Sequence, residues 1–229
     1  MGYYSSMILD IIFPKHCINC SKAGNYLCPD CTSTITRHLQ VCFVCRKISP
    51  LGKTHSYCQS KTNFDAVIIA TQYKDTIKKA LVKIKYGLHY DILSELLEKT
   101  LSSDKIRLFL EQQPIDYCTE IPMHSFKYKQ RGFNQTLLIT KWLETKYNIP
   151  HQTLLVKIQQ THAQMHLNRN DRLFNLTNTI QLDKNTNLQN KSILLVDDVI
   201  TTGTTLEESA LVLKNHGAQK IIGLVIASG

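Results

Sequence analysis

Two adjacent carboxylates, Asp197 and Asp198, follow an apolar run, Ile193-Leu194-Leu195-Val196, and lead through Val199 and Ile200 into Thr201-Thr202-Gly203-Thr204-Thr205. Ionised acids only accept hydrogen bonds, so the pair suits the 2- and 3-hydroxyls of a ribose, which donate them. The hydroxyls and backbone N–H groups of Thr201, Thr202, Gly203, Thr204 and Thr205 suit a dianionic phosphate. Gly203 permits a positive φ and a close approach of the backbone there. A helix expected from Leu206 to Lys214 adds its N-terminal dipole to the same phosphate. Thr205 and Glu208 are spaced as a capping box at its start, and Gly217 reads as its stop. The four apolar residues show no alternation, as in a strand covered on both faces of a parallel sheet. Ligands of open α/β sheets bind at the carboxyl ends of the strands, which is where this run delivers its acids. An ordinary strand end and turn would use the same residue types, but the full ordered set points to a sugar phosphate.

Cysteine spacing carries a second chemistry. Cys17 and Cys20, Cys28 and Cys31, and Cys42 and Cys45 form three C-x-x-C knuckles, with Cys58 beyond them. Two knuckles bring four thiolates around a tetrahedral Zn²⁺, and closed sites of this kind are structural. Pairing neighbours gives a first site at Cys17, Cys20, Cys28 and Cys31. A second would use Cys42, Cys45 and Cys58; Lys61 stands where a fourth cysteine would complete the pattern, and His55 is a substitute. Crossed pairing of the first and third knuckles stays open on spacing alone. Met7 to Phe13 is short, carries Asp10 and has no basic residues ahead of it, unlike a secretory signal. The expectation is therefore a cytoplasmic chain whose C-x-x-C pairs bind metal. Cys118 lies in an apolar stretch and is expected to be a buried strand residue.

With 229 residues the chain has room for one moderate domain and a small module. No apolar run approaches the ~20 residues needed to span a bilayer. The net charge is +9, and residues 1–62 hold seven Lys/Arg against two Asp/Glu. Lys74, Lys78, Lys79, Lys83 and Lys85 face only Asp75 in a local patch, which reads either as a phosphate-tracking stripe or as a solvated helix face. The absence of G-x-x-x-x-G-K-[ST] and of G-x-G-x-x-G argues against a P-loop NTPase and a Rossmann dehydrogenase.

Residues 1–60 read as a cysteine-dense module too small to bury much core, and 61–229 as the larger domain. Strands are expected at Phe64–Thr71, Ile115–Met123, Thr153–Ile158, Ile193–Val196 and Ile221–Ala227. Helices are expected at Ile77–Lys85, Tyr90–Leu101 and Asn134–Tyr147, the last with Leu137, Leu138, Trp142 and Leu143 as its apolar face. Residues 159–176 read as a polar loop. This alternation predicts an α/β fold with a parallel sheet flanked by helices.

The run from Ile193 to Thr205 resembles the phosphoribosyl-pyrophosphate (PRPP) signature of type I phosphoribosyltransferases. Other stretches join it: Ile12-Phe13-Pro14-Lys15-His16-Cys17, the knuckles, Leu81-Val82-Lys83-Ile84-Lys85-Tyr86, Ile121-Pro122-Met123-His124, Arg131-Gly132-Phe133-Asn134-Gln135, and Gln164-Met165-His166-Leu167-Asn168-Arg169 with Arg172 and Asn175. Together they resemble the ComF-type proteins, associated with late competence and DNA uptake, which couple a zinc module to a type I phosphoribosyltransferase domain. The resemblance implies Asp197 and Asp198 on the ribose hydroxyls, directly or through Mg²⁺, and Thr201 to Thr205 around the 5-phosphate. It implies Lys127, Lys129, Arg131 and Gly132 facing the pyrophosphate, with Lys157, Gln164, Arg169 and Arg172 in a flexible loop that closes over PRPP. The incomplete fourth knuckle is the main departure from the pattern.

The expected function is a PRPP-binding competence protein acting on single-stranded DNA at the cytoplasmic face of the membrane, beside a competence helicase or an inner-membrane DNA channel. The alternative is an active phosphoribosyltransferase passing ribose 5-phosphate to a base or amine. A third reading is a PRPP sensor that uses the zinc ribbon for protein contacts.

Overall fold

The computed structural model describes residues 14–87, 89–101, 103–123, 125–158, 179–183 and 186–229. In chain order its elements are α1 (Pro29–Ser33), β1 (Ala66–Gln72), α2 (Asp75–Tyr86), α3 (Tyr90–Leu101), α4 (Asp104–Gln112), β2 (Tyr117–Glu120), α5 (Ser125–Arg131), α6 (Gln135–Tyr147), β3 (Leu155–Lys157), β4 (Ile180–Leu182), β5 (Ser192–Ile200), α7 (Thr204–Asn215) and β6 (Lys220–Ser228). Four strands form a parallel sheet in the order β1-β6-β5-β2.

The unalternating apolar strands have both faces covered. On β5, Ile193 and Leu195 join Val67, Ile69 and Val225 beneath Leu206, Ala210 and Leu213 of α7. Leu194 and Val196 face the other way, into a core with Ile68, Leu224, Ile84 of α2, Leu96 of α3 and Leu143 of α6. Trp142 belongs to this second core at 6% exposure and meets Tyr147 edge-on. Cys118 is fully buried on β2, where burial pushes its thiol up to about 12.

Several expected elements shift. The strand expected at Ile193–Val196 runs on to Ile200, because β6 stays paired beside it as far as Ser228, so Asp197 and Asp198 lie inside the strand. Residues around Thr153–Ile158 form no strand of the main sheet. There the chain touches the outer edge of β2 through Pro150 and Gln152, then leaves to make an antiparallel pair, β3 with β4. On α6 the fully covered positions are Gln135, Thr136, Ile139, Thr140, Trp142 and Leu143, while Leu137 and Leu138 are half-buried. The helices α4 and α5 were not expected from the sequence.

The cysteine-rich segment closes the opposite edge of the sheet. The N–H of Gln72 donates to Thr36 O and that of His38 to Ala70 O, while Gln40 Nε2 donates to Ile69 O. These bonds occupy the free edge of β1, which would otherwise be a template for pairing with another chain. Glu95 of α3 accepts the N–H groups of Tyr26 and Leu27, and Arg37 donates to the last carbonyls of α3, at Lys99 and Thr100. Among the described residues, no helix is long and apolar enough to cross a membrane.

Candidate PRPP and metal sites

A cleft of about 210 Å³ opens at the carboxyl ends of β2 and β5. Its walls include Asp197 and Asp198 of β5, Thr205 of α7, Arg131 at the end of α5, Lys157 of β3 and Gln135 of α6. The two acids are held by their own backbone: Asp197 Oδ1 accepts from the N–H of Asp198 at 2.8 Å, and Asp198 Oδ1 from that of Val199 at 2.7 Å. Burial, and then the neighbouring charge of Asp198, hold the Asp197 carboxyl well above the usual carboxylate range. Such a pair calls for a cation or hydroxyl donors. Arg131 and Lys157 on the far walls supply positive charge for an anionic ligand. Asn134 caps α6 through the N–H of Thr136, and both side chains donate to Ile121 O, fixing the turn that carries Arg131.

The threonine loop is a partition. Gly203 has a φ of +82° and is the N-cap of α7, which starts at Thr204. The capping box expected at Thr205 and Glu208 is therefore not the one used: the left-handed Gly203 makes the turn, with no side-chain cap. Thr202 Oγ1 accepts from the N–H of Thr204 instead. Thr205 faces the acid cleft, whereas Thr202, Gly203 and Thr204 line a second cleft of about 500 Å³. The far wall of that cleft is the third knuckle, through Phe43, Val44 and Arg46. Phe43 lies so close that a Cβ on residue 203 would sit 2.6 Å from its Cζ. The same ring meets Phe64 edge-on at 5.9 Å, and the Arg46 guanidinium lies 5.1 Å from its centre.

Glu207 joins the loop helix to the segment leaving the knuckles, accepting from Thr62 Oγ1, Asn63 N and Asn63 Nδ2, each at 2.7 Å. Replacing it with Ala orphans three donors. The loss expected is about 1–3 kcal/mol, or roughly 2–4 °C of melting temperature per kcal/mol, read by thermal unfolding.

The cysteines gather in two clusters. Cys17, Cys20, Cys28 and Cys31 place their sulfurs within 4.8 Å of one another, and Cys42, Cys45, His55 and Cys58 do the same with their ligand atoms. Neighbouring knuckles pair, so the crossed arrangement is not the one adopted. Cys20 and Cys28 sulfurs are 3.6 Å apart and Cys45 Sγ is 3.3 Å from His55 Nδ1. A tetrahedron with ~2.3 Å arms has edges of about 3.8 Å, so both donor sets fit Zn²⁺. Within the first cluster, burial resists ionisation of Cys17, but N–H donors from Cys28, Cys20 and Asn19 outweigh it and bring the thiol to about 6. Cys31 stands at about 12 despite a bond from Asn19, raised by burial and by its thiol neighbours. The second cluster repeats this: backbone donation from Lys47 helps bring Cys45 to about 7, while burial and the other thiols push Cys58 to about 11. A divalent cation resolves that competition by letting every thiol ionise.

Comparison with known proteins agrees with both halves. A double zinc ribbon domain matches residues 8–60, and a phosphoribosyl transferase domain matches residues 144–229. The chain is 28% identical over 212 residues to Competence protein F of Haemophilus influenzae, covering 90% of this chain and 86% of that protein. The relatives and the two domain matches together support the ComF family. It is 23% identical over 210 residues to the DNA utilization protein YhgH of Escherichia coli K12, covering 90% and 85%. It is 26% identical over 145 residues to Competence protein ComFC of Bacillus subtilis, covering 63% and 56%. The fold is that of a type I phosphoribosyltransferase with an N-terminal double zinc ribbon.

Of the residues the family pattern marks, Asp197, Asp198, Thr205, Arg131 and Lys157 share one cleft. Thr201 is exposed, as is Gly132, whose φ is +77°. Lys127 and Lys129 lie on α5. Gln164, Arg169 and Arg172 fall outside the described residues, as do Met7 to Phe13. Gln135 and Phe43 had no assigned role in the sequence. Gln135 is 2% exposed with neither amide atom hydrogen-bonded, and Phe43 is placed only by tertiary packing.

Proposed function

We propose that the chain binds PRPP in the acid cleft and acts in DNA uptake during natural transformation, handling single-stranded DNA at the cytoplasmic face of the membrane. The carrying observation is the convergence of Asp197, Asp198, Thr205, Arg131 and Lys157 on one cleft. In this reading the acids take the ribose hydroxyls, the 5-phosphate sits against the loop from Thr201 to Thr205 where Thr205 turns into the acid cleft, and Arg131 with Lys157 faces the pyrophosphate. Mg²⁺ would accompany PRPP, since it favours a few carboxylates together with substrate phosphates. Zn²⁺ would occupy both cysteine clusters and serve folding rather than chemistry. Residues 1–60 would be the zinc module and 61–229 the PRPP-binding domain. The names of the relatives support the DNA role, and the net charge of +9 suits a polyanionic partner. A competence helicase or an inner-membrane DNA channel is the protein partner this role calls for, with the chain peripheral to the membrane.

A second reading, an active phosphoribosyltransferase, is favoured by the zinc ribbon covering the phosphate loop as a hood would. An acceptor nitrogen would form a bond to C1 of PRPP as the C1–O bond breaks and pyrophosphate leaves, the acceptor losing a proton. Incubation with PRPP, Mg²⁺ and nucleobases, ammonia or oligonucleotides separates the two. Binding without pyrophosphate release is the expected result, and release in step with acceptor consumption would establish the second reading.

A further inference from the structure

The helix α5, Ser125-Phe126-Lys127-Tyr128-Lys129-Gln130-Arg131, carries two aromatic rings into solvent: Phe126 is 67% exposed and Tyr128 50%. Hydrophobic rings on a basic helix are not what solvation alone selects. Residues three apart on a helix share a face with Cβ atoms about 5–6 Å apart. Phe126 therefore stands beside Lys129, and Tyr128 beside Arg131, giving a ring and a cation on each of two flanks. That is the recognition chemistry of one nucleotide, a base to stack and a phosphate to neutralise. The Tyr128 flank ends at Arg131, which also lines the acid cleft, so the surface is continuous with the sugar-phosphate site.

We propose that α5 is a stacking platform for single-stranded nucleic acid that brings the strand to the mouth of the PRPP cleft. This rests on the reading that the chain handles single-stranded DNA, and it assigns the surface. Every base has a π-face, so the platform is indifferent to sequence, and the flanking cations make binding salt-dependent. Duplex DNA, whose bases are stacked on one another, has no exposed ring to offer.

The test uses the full-length zinc-loaded chain and a fluorescent oligo(dT), read by anisotropy, with a parallel calorimetric PRPP titration. Phe126→Ala/Tyr128→Ala is expected to weaken oligo(dT) binding about tenfold or more, leaving PRPP affinity and melting temperature unchanged. Its slope of log affinity against log salt should match wild type, whereas Lys129→Ala should lower the slope by about 0.7. Phe126→Trp is expected to retain binding and to show fluorescence quenching on oligo(dT), against the background of the buried Trp142. Wild-type binding that survives the double alanine change would overturn the platform while sparing the single-strand reading. No wild-type binding at low salt would sink both.

Discussion

Asp197→Asn is expected to yield a protein that melts higher than wild type at neutral pH and no longer binds PRPP. Burial and Asp198 raise the Asp197 carboxyl well above its unfolded value, so the folded state prefers it protonated. A raised acid destabilises the fold once pH exceeds the unfolded carboxylate range near 4, and the penalty grows until pH passes the folded value. The amide removes that penalty. The difference in melting temperature should therefore be near zero at about pH 4 and widen towards neutrality, by ~2–4 °C for each kcal/mol relieved. Binding moves the other way, because Asn cannot supply a second negative charge to a cation or to ribose hydroxyls. In wild type, PRPP with Mg²⁺ should displace the proton, so affinity rises with pH through the folded value and the binding heat depends on buffer ionisation. An Asn variant less stable than wild type across that range would contradict the strained acid pair.

The second large effect concerns metal. His55→Ala is expected to reduce bound zinc from two ions per chain to one and to weaken PRPP binding about tenfold. His55 lies with Cys42, Cys45 and Cys58 at ligand distance, and the knuckle between Cys42 and Cys45 carries Phe43 onto Gly203. Without the metal, the knuckle that carries Phe43 loses the ligand set that holds it against the loop that would take the phosphate. Structural zinc is worth on the order of 10 kcal/mol in isolated zinc peptides, so even a third of that lowers melting by about 6–12 °C. His55→Cys supplies a fourth thiolate in place of the imidazole and should keep zinc content, melting temperature and PRPP affinity together near wild type. Metal analysis alongside calorimetry reads all three, and two zinc ions retained by His55→Ala would remove His55 from the cluster.

What the sequence made legible was local. The chain from Ile193 to Thr205 carries its strand, its acids and its left-handed glycine within thirteen residues, and α3 announces itself through apolar period and length. The helix α6 was legible as a helix, but of its expected apolar face only Trp142 and Leu143 are fully covered. The first zinc cluster is contained in C-x-x-C spacing. His55 differs: a single histidine three residues before Cys58 is ambiguous until folding gathers it with Cys45. The helix α5 escaped notice because its rings point to water and give no buried stripe to read. The strand β3 looked like a sheet strand, and its pairing with β4 was decided across a long intervening segment. The contact of Phe43 with Gly203 joins residues far apart in sequence, and no local pattern encodes it.

The most direct measurement is a calorimetric titration of PRPP with Mg²⁺ into the zinc-loaded protein, beside the Asp197→Ala/Asp198→Ala double variant. Saturable one-to-one binding in wild type, lost in a double variant that remains folded, is the predicted result. A folded, zinc-loaded wild type that gives no heat with PRPP, or a double variant that binds as tightly, would contradict the assignment of this cleft.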